Sequence, residues 1–236
     1  MTNPTYFQFT PTALATKPYE CNNSHDVVLE YKGQDFPVHR SVVSTFSKFF
    51  ERMFTYGFPE QDMVHIELRA LPISVHLFRQ FLNSLYCQAL AVTEQNVFDL
   101  YYLGEYFMVS EIVSYTFDFI KQLSAPALLQ IVQRADEVDH FTFLQKISYL
   151  IDSVSFDNVV TLKQEALEVL SKQLKTVGAA KWLLKCLGES FNDGKISSDQ
   201  IDEVIQNMVY LIRKMDSTFV RNELIEKLGE RFDYGQ

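Results

Sequence analysis

Three cysteines in 236 residues are too few and too scattered for a disulfide framework. Cys21, Cys87 and Cys186 form no CxxC pair, so a zinc cluster also fails on spacing. Reduced thiols and a reducing compartment are expected, which means cytoplasmic with the nucleus as the other option. No apolar run approaches the roughly 20 residues of a membrane span. The segment Met1 to Tyr6 lacks the charged and apolar regions of a signal peptide. A basic excess is missing too. There are 21 Lys and Arg against 30 Asp and Glu, a net charge of −9. The first 123 residues hold 8 of the basic and 13 of the acidic side chains, so neither half is basic. No face is built to neutralise phosphates, and neither a nucleic acid nor a membrane is an expected partner.

The chemistry of turnover is lacking as well. There is no phosphate-binding glycine loop, no convincing pair of carboxylates and no nucleophile–base arrangement, so an enzyme is not expected, and no cofactor is. His25, His65, His76 and His140 are scattered without metal-ligand spacing. Asp136-Glu137-Val138-Asp139-His140 resembles a metal cluster in composition alone. On a helix, neighbours one and two apart do not face each other, so it reads as a solvated helix end. Asn192-Asp193-Gly194 resembles the centre of a calcium loop. With Gly194 sixth, Phe191 falls third and Gln200 twelfth, where an oxygen ligand and a bidentate Glu are needed. It reads as a turn before a capped helix.

What the chain has in quantity is rings, with 20 Phe and 12 Tyr, in a composition 47% hydrophobic. The most informative run is Gln34 to Phe54. Asp26–Tyr31 alternates as a strand, Lys32-Gly33 is a tight turn, and Gln34–Val38 is a second strand. After His39-Arg40, the residues Val42, Val43, Phe46, Phe49, Phe50, Met53 and Phe54 recur three and four apart. They form one apolar helical stripe expected to be buried. Downstream, Val64-x-Ile66-x-Leu68 alternates, and Phe78-x-x-Phe81-Leu82-x-x-Leu85-Tyr86, Thr93-Glu94-Gln95-Asn96-Val97 and Leu103-Gly104-Glu105-Tyr106-Phe107 follow in order.

This ordered series, from about Asp26 to Gln122, resembles the BTB/POZ domain, a protein-interaction module, and the resemblance implies one helix through Phe78–Tyr86 and another that starts at Thr93–Val97 and runs on through Leu103–Phe107. Two places depart from its pattern: Cys87-Gln88 stands where a Thr-Gly turn is usual, and Gly104-Glu105 where Ala-Asp is. A glycine inside a helix costs about 0.5–1 kcal/mol relative to Ala. The expected fold class is α+β, a BTB/POZ fold with a small mixed sheet flanked by helices, followed by an all-α region. The expected domains are a leader over 1–24, the BTB/POZ domain over 25–122 and a helical region over 123–236.

The resemblance implies four partner-binding residues. Asp26 and Arg40 match two positions that form a charged pair near the family's dimer groove, and they also suit a structural pairing at the strand–helix junction. Phe58-Pro59-Glu60 matches a hydrophobic-x-Glu triplet with which ubiquitin-ligase adaptors of the family engage a cullin scaffold. His39, another motif residue, is expected to satisfy backbone groups at the helix start. The implied function is an adaptor that self-associates as a homodimer, holds a cullin and presents a client protein. The alternative is a non-ligase oligomerising scaffold or transcriptional co-regulator. The leader carries Pro4, Pro11 and Pro18, which allow a strand around Tyr6–Thr10 but no long helix.

Beyond Leu123 the pattern is helical. Ala125-Pro126 starts one helix. Leu162, Ala166, Val169 and Leu170 form a stripe, and Ile201, Val204, Ile205, Met208, Ile212 and Met215 form another. Val220, Leu224, Ile225, Leu228 and Phe232 form a third, which Asp216-Ser217 can cap. Ser197-x-x-Gln200 is a capping-box signature. Placement after the first domain resembles the helical region called BACK. Kelch blades need a period of about 50 residues, which the chain does not show.

Overall fold

The computed structural model describes residues 5–9, 25–55 and 57–214. The chain divides into two compact units, Met1–Gln122 and Leu123–Gln236.

The first unit is α+β. Its short first strand, β1 (Thr5–Phe7), lies within the leader and pairs antiparallel with β5 (Leu90–Val92). Phe9 follows it into the core, its ring 4.2 Å from that of Phe46. The remaining leader positions lie outside the described residues. A second, three-stranded sheet has the order β3-β2-β4. Its β2 (Val27–Tyr31) and β3 (Gln34–Val38) form an antiparallel hairpin, while β4 (His65–Glu67) runs parallel to β2. Lys32 at φ 51° and Gly33 at φ 73° make the turn, the twist that closes a two-residue hairpin. Val27, Leu29 and Tyr31 point inward from β2, with Phe36 and Val38 from β3.

The stripe after His39 is interrupted. It forms α1 (Arg40–Phe46) and α2 (Lys48–Thr55), because Ser47 leaves the helical conformation at φ −114°, ψ 111°. Its hydroxyl donates to the carbonyl of Phe107 at 2.6 Å and accepts from the amide of Phe50 at 3.2 Å. The motif serine therefore breaks one helix to cap the next. Of the seven stripe residues, Val42, Val43 and Phe50 are buried, whereas Phe46, Phe49, Met53 and Phe54 are half-buried. The expectation of full burial fails where the break at Ser47 splits the stripe between two helices.

Around this run pack α3 (Val75–Leu85), α4 (Val97–Tyr106) and α5 (Ser110–Ile120). Cys87, where a Thr-Gly turn is usual, takes φ 58°. Gly104 is more than a tolerated weakness in α4. A Cβ there would lie 3.0 Å from Val113 Cγ2 and 3.2 Å from both Ile112 Cγ2 and the Val113 amide. The missing side chain is what lets α5 approach.

The second unit is all helix among its described residues: α6 (Ala125–Glu137), α7 (Phe141–Ser153), α8 (Gln164–Gln173), α9 (Val177–Asn192) and α10 (Ser198–Lys214). Leu162, Ala166 and Leu170 are buried, as are Ile201, Val204 and Met208. Gln200 reaches back to accept from the Ser197 amide at 2.9 Å, which is one half of a capping box, while its own amide donates to the Ser197 carbonyl at 3.1 Å. Trp182 is 2% exposed and donates to the carbonyl of Asn158 at 3.0 Å. The stripe from Val220 to Phe232 and its cap at Asp216-Ser217 lie outside the described residues.

Candidate partner-binding site

Phe49 and Met53, left half-buried by the break at Ser47, form part of an open groove of about 290 Å³. Arg52 joins them from α2, and Met108 from the turn between α4 and α5. Met108 holds φ 52°, accepts the Lys48 amide with its carbonyl at 3.4 Å and meets the Arg52 guanidinium with its sulfur at 3.8 Å. Phe58 and Glu60 complete the lining. Phe58 precedes a 3-10 turn, Pro59–Gln61, and is 52% exposed. Sequence reasoning singled out the loop pair but not Phe49, Arg52, Met53 or Met108. The first and third had been assigned to a buried stripe, and nothing marks Met108 along the chain.

Asp26 and Arg40 do meet, but through the main chain. The Asp26 carboxylate accepts from the Arg40 amide at 2.8 Å. The Arg40 side chain goes elsewhere. Its guanidinium donates to the carbonyls of Gln61 and Met63 and lies 4.9 Å from the centre of the Phe54 ring. It grips the segment that carries Phe58 and Glu60. His39 is buried, and its carbonyl accepts the amides of Val42 and Val43. Its Nδ1 lies 3.0 Å from the Tyr86 hydroxyl, which also accepts the His39 amide at 2.7 Å. Two motif residues far apart in sequence are thereby joined.

His65 is not as isolated as its spacing suggests. Its Nε2 lies 3.2 Å from Asp35 Oδ1 and 3.8 Å from Glu30 Oε2, on the outer face of the three-stranded sheet. His65 and Asp35 are more than half exposed there, and solvent screens such pairs.

The solvated-end reading of Asp136 fails. The residue is 2% exposed. It accepts from the Lys163 amide at 2.9 Å, at the start of α8, and stands 4.0 Å from the Lys195 ammonium. Burial pushes its carboxyl above the usual range against the pull of these partners. The Lys163 ammonium donates to Asp139 at 2.7 Å, which pushes its own value up. The start of α8, 27 residues on, supplies what the local pattern could not show. Asn192 ends α9 and Asp193-Gly194 make the turn that follows, with Gly194 at φ 67°. Cys186 is enclosed, and burial pushes its thiol up to about 12, so it carries no thiolate at neutral pH.

Comparison with known proteins places this architecture. Residues 16–124 match the BTB/POZ domain family model, and this part of the chain is a BTB/POZ domain. The chain is similar to Kelch repeat and BTB domain-containing protein 2 of Homo sapiens, 24% identical over 214 residues, which is 80% of this chain and 33% of that protein. It is similar to Kelch-like protein 40 of Xenopus laevis, 28% identical over 101 residues, 43% of this chain and 16% of that protein. The chain thus spans a third or less of these curated relatives. The BTB domain of zebrafish PATZ1 superposes with a TM-score of 0.38 at 22% identity, covering 49% of this chain and 99% of that one. No helix among the described residues is long and apolar enough to cross a membrane.

Proposed function

We propose that this chain is a protein–protein adaptor that docks a cullin-type scaffold through the Phe58–Glu60 groove. In this reading it self-associates as a homodimer through the BTB/POZ domain and presents a client on a BACK-like helical region. The observation that carries the reading is that Phe58 and Glu60 line one groove with Phe49, Arg52, Met53 and Met108. A half-exposed ring beside an apolar floor suits an anchor contact, and such anchors commonly supply about 2 kcal/mol or more on truncation. Glu60 gives the rim an acceptor for a charge-assisted bond, and Pro59 stiffens the segment between them. The family-model match and the similarity to Kelch-related BTB proteins support adaptor work in general.

The test uses the full chain and a purified cullin. Phe58→Ala with Glu60→Lys should weaken binding about thirtyfold or more and leave the thermal melt nearly unchanged. Absence of binding by the unaltered chain removes the cullin reading and leaves the oligomerising scaffold. Binding that survives the double change moves the contact away from this groove.

A further inference from the structure

The sequence casts Arg40 as one half of a charged pair, yet no carboxylate among the described residues meets its guanidinium. It donates to two carbonyls, Gln61 and Met63, two residues apart, and covers the ring of Phe54. Gln61 closes the 3-10 turn that starts at Pro59, and its own side chain accepts the Gly57 amide at 3.1 Å. Met63 donates its amide back to the Glu60 carbonyl at 3.3 Å. The two carbonyls that Arg40 holds thus bracket the chain immediately after Phe58 and Glu60. At the other end, Arg40 is the first residue of α1, and its amide is fixed by Asp26.

We infer that Arg40 is the positioning residue of the groove: it holds the 57–63 segment in a docking-ready shape without contacting the partner. This rests on the docking reading above. The chemistry is specific to arginine. A planar fork can donate to two separate acceptors and still lie flat on a ring, whereas an ammonium is a single point. Residues 57–63 include few buried side chains, so without this grip the segment opens at low cost. A partner that binds only the held shape then sees its affinity reduced by the fraction of time that shape is populated.

Three variants of the full chain separate the possibilities. Arg40→Ala removes both donors and the ring cover. Arg40→Met keeps an apolar stem over Phe54 but removes the donors, and Arg40→Lys keeps one point charge. Amide exchange is read first, since it needs no partner. Arg40→Met and Arg40→Ala should speed exchange of the Gln61, Asp62 and Met63 amides about tenfold or more while β2 and α3 keep their protection. Arg40→Lys should fall between. Unchanged exchange at these three amides overturns the inference, and so does a rise throughout the unit, which would mark a general structural role. Cullin binding is read second, in a cycle with Phe58→Ala. A positioning role predicts that Arg40→Met costs far less once Phe58 is gone, whereas additive losses overturn it. If the unaltered chain binds no cullin, the docking reading fails by itself and exchange alone decides the role of Arg40.

Discussion

The interior of the first unit is made of rings in mutual contact, whereas that of the second is made of aliphatic stripes tied by a charge. In the first, Tyr31 stacks on Phe78 at 4.2 Å, Phe36 meets Phe78 edge-on at 5.2 Å, and Phe107 touches Phe50, Phe78 and Phe81. Among the described residues its buried polar side chains are His39, Ser47, Ser84 and Thr116. In the second, Phe143, Phe156 and Trp182 are the buried rings among the described residues, set among Leu, Ile, Val and Ala. The buried charge among them is Asp136. A ring in a cluster has one usable orientation, which ties residue type to position. Leu and Ile on helical stripes interchange at small cost if volume is kept. That difference explains why the first unit carries a motif and the second only a periodicity.

The comparison breaks most directly at Phe78, which is fully buried among rings from three elements. Phe78→Ala should cost about 3–5 kcal/mol, read as a lowered denaturation midpoint. A cost below about 1 kcal/mol would mean the rings repack as freely as aliphatic residues do. Next in size is Gly104→Ala. Helix propensity alone favours Ala by about 1 kcal/mol. The 3.0 Å approach of Val113 and the nearby Val113 amide oppose it, and a net loss of about 1–3 kcal/mol is expected. A gain in stability would show that α5 can move away.

An effect no larger than that of Gly104→Ala sharpens the contrast from the side of the second unit. Asp136→Ala strands the Lys163 amide and should cost about 1–3 kcal/mol, while Asp136→Asn keeps an acceptor and should cost less. The pH dependence follows from the raised carboxyl value. The native chain holds that proton more tightly than the unfolded one, so this group's contribution falls as pH climbs from the ordinary Asp value of 3.8 through the raised one. Wild type should therefore lose stability relative to Asp136→Asn across that interval, measured by chemical denaturation at several pH values. The opposite slope would mean that Lys163 and Lys195 outweigh burial.

Much of the first unit was legible because its signals are local or periodic. The alternation from Val27, the Lys32-Gly33 turn, and the helices through Phe78 and Val97 all formed. The strand foreseen around Tyr6–Thr10 formed at Thr5–Phe7. What could not be read depends on partners distant in sequence. Ser47 breaks a helix because the Phe107 carbonyl, sixty residues on, takes its hydroxyl. Gly104 counts as a cost until Val113 is placed against it. Two of the six groove residues, Phe58 and Glu60, were visible as the ends of a triplet in a loop. Phe49 and Met53 were hidden inside a stripe that looked wholly buried, and Met108 joins them only through the turn between α4 and α5. Asp136 looked solvated because Lys163 and Lys195 are brought to it by the fold alone.

The manner in which Arg40 grips its loop has one more consequence. Its acceptors are peptide carbonyls and a ring face, which are dipoles and a quadrupole, and such contacts act over a few ångströms. Glu60 presents a full charge at a groove rim, whose attraction for a distant cation fades over about 8 Å at physiological ionic strength. Added salt therefore acts on the two residues unequally. It weakens the long-range pull that Glu60 exerts on an approaching cationic partner and leaves the shape of the loop that displays it in place.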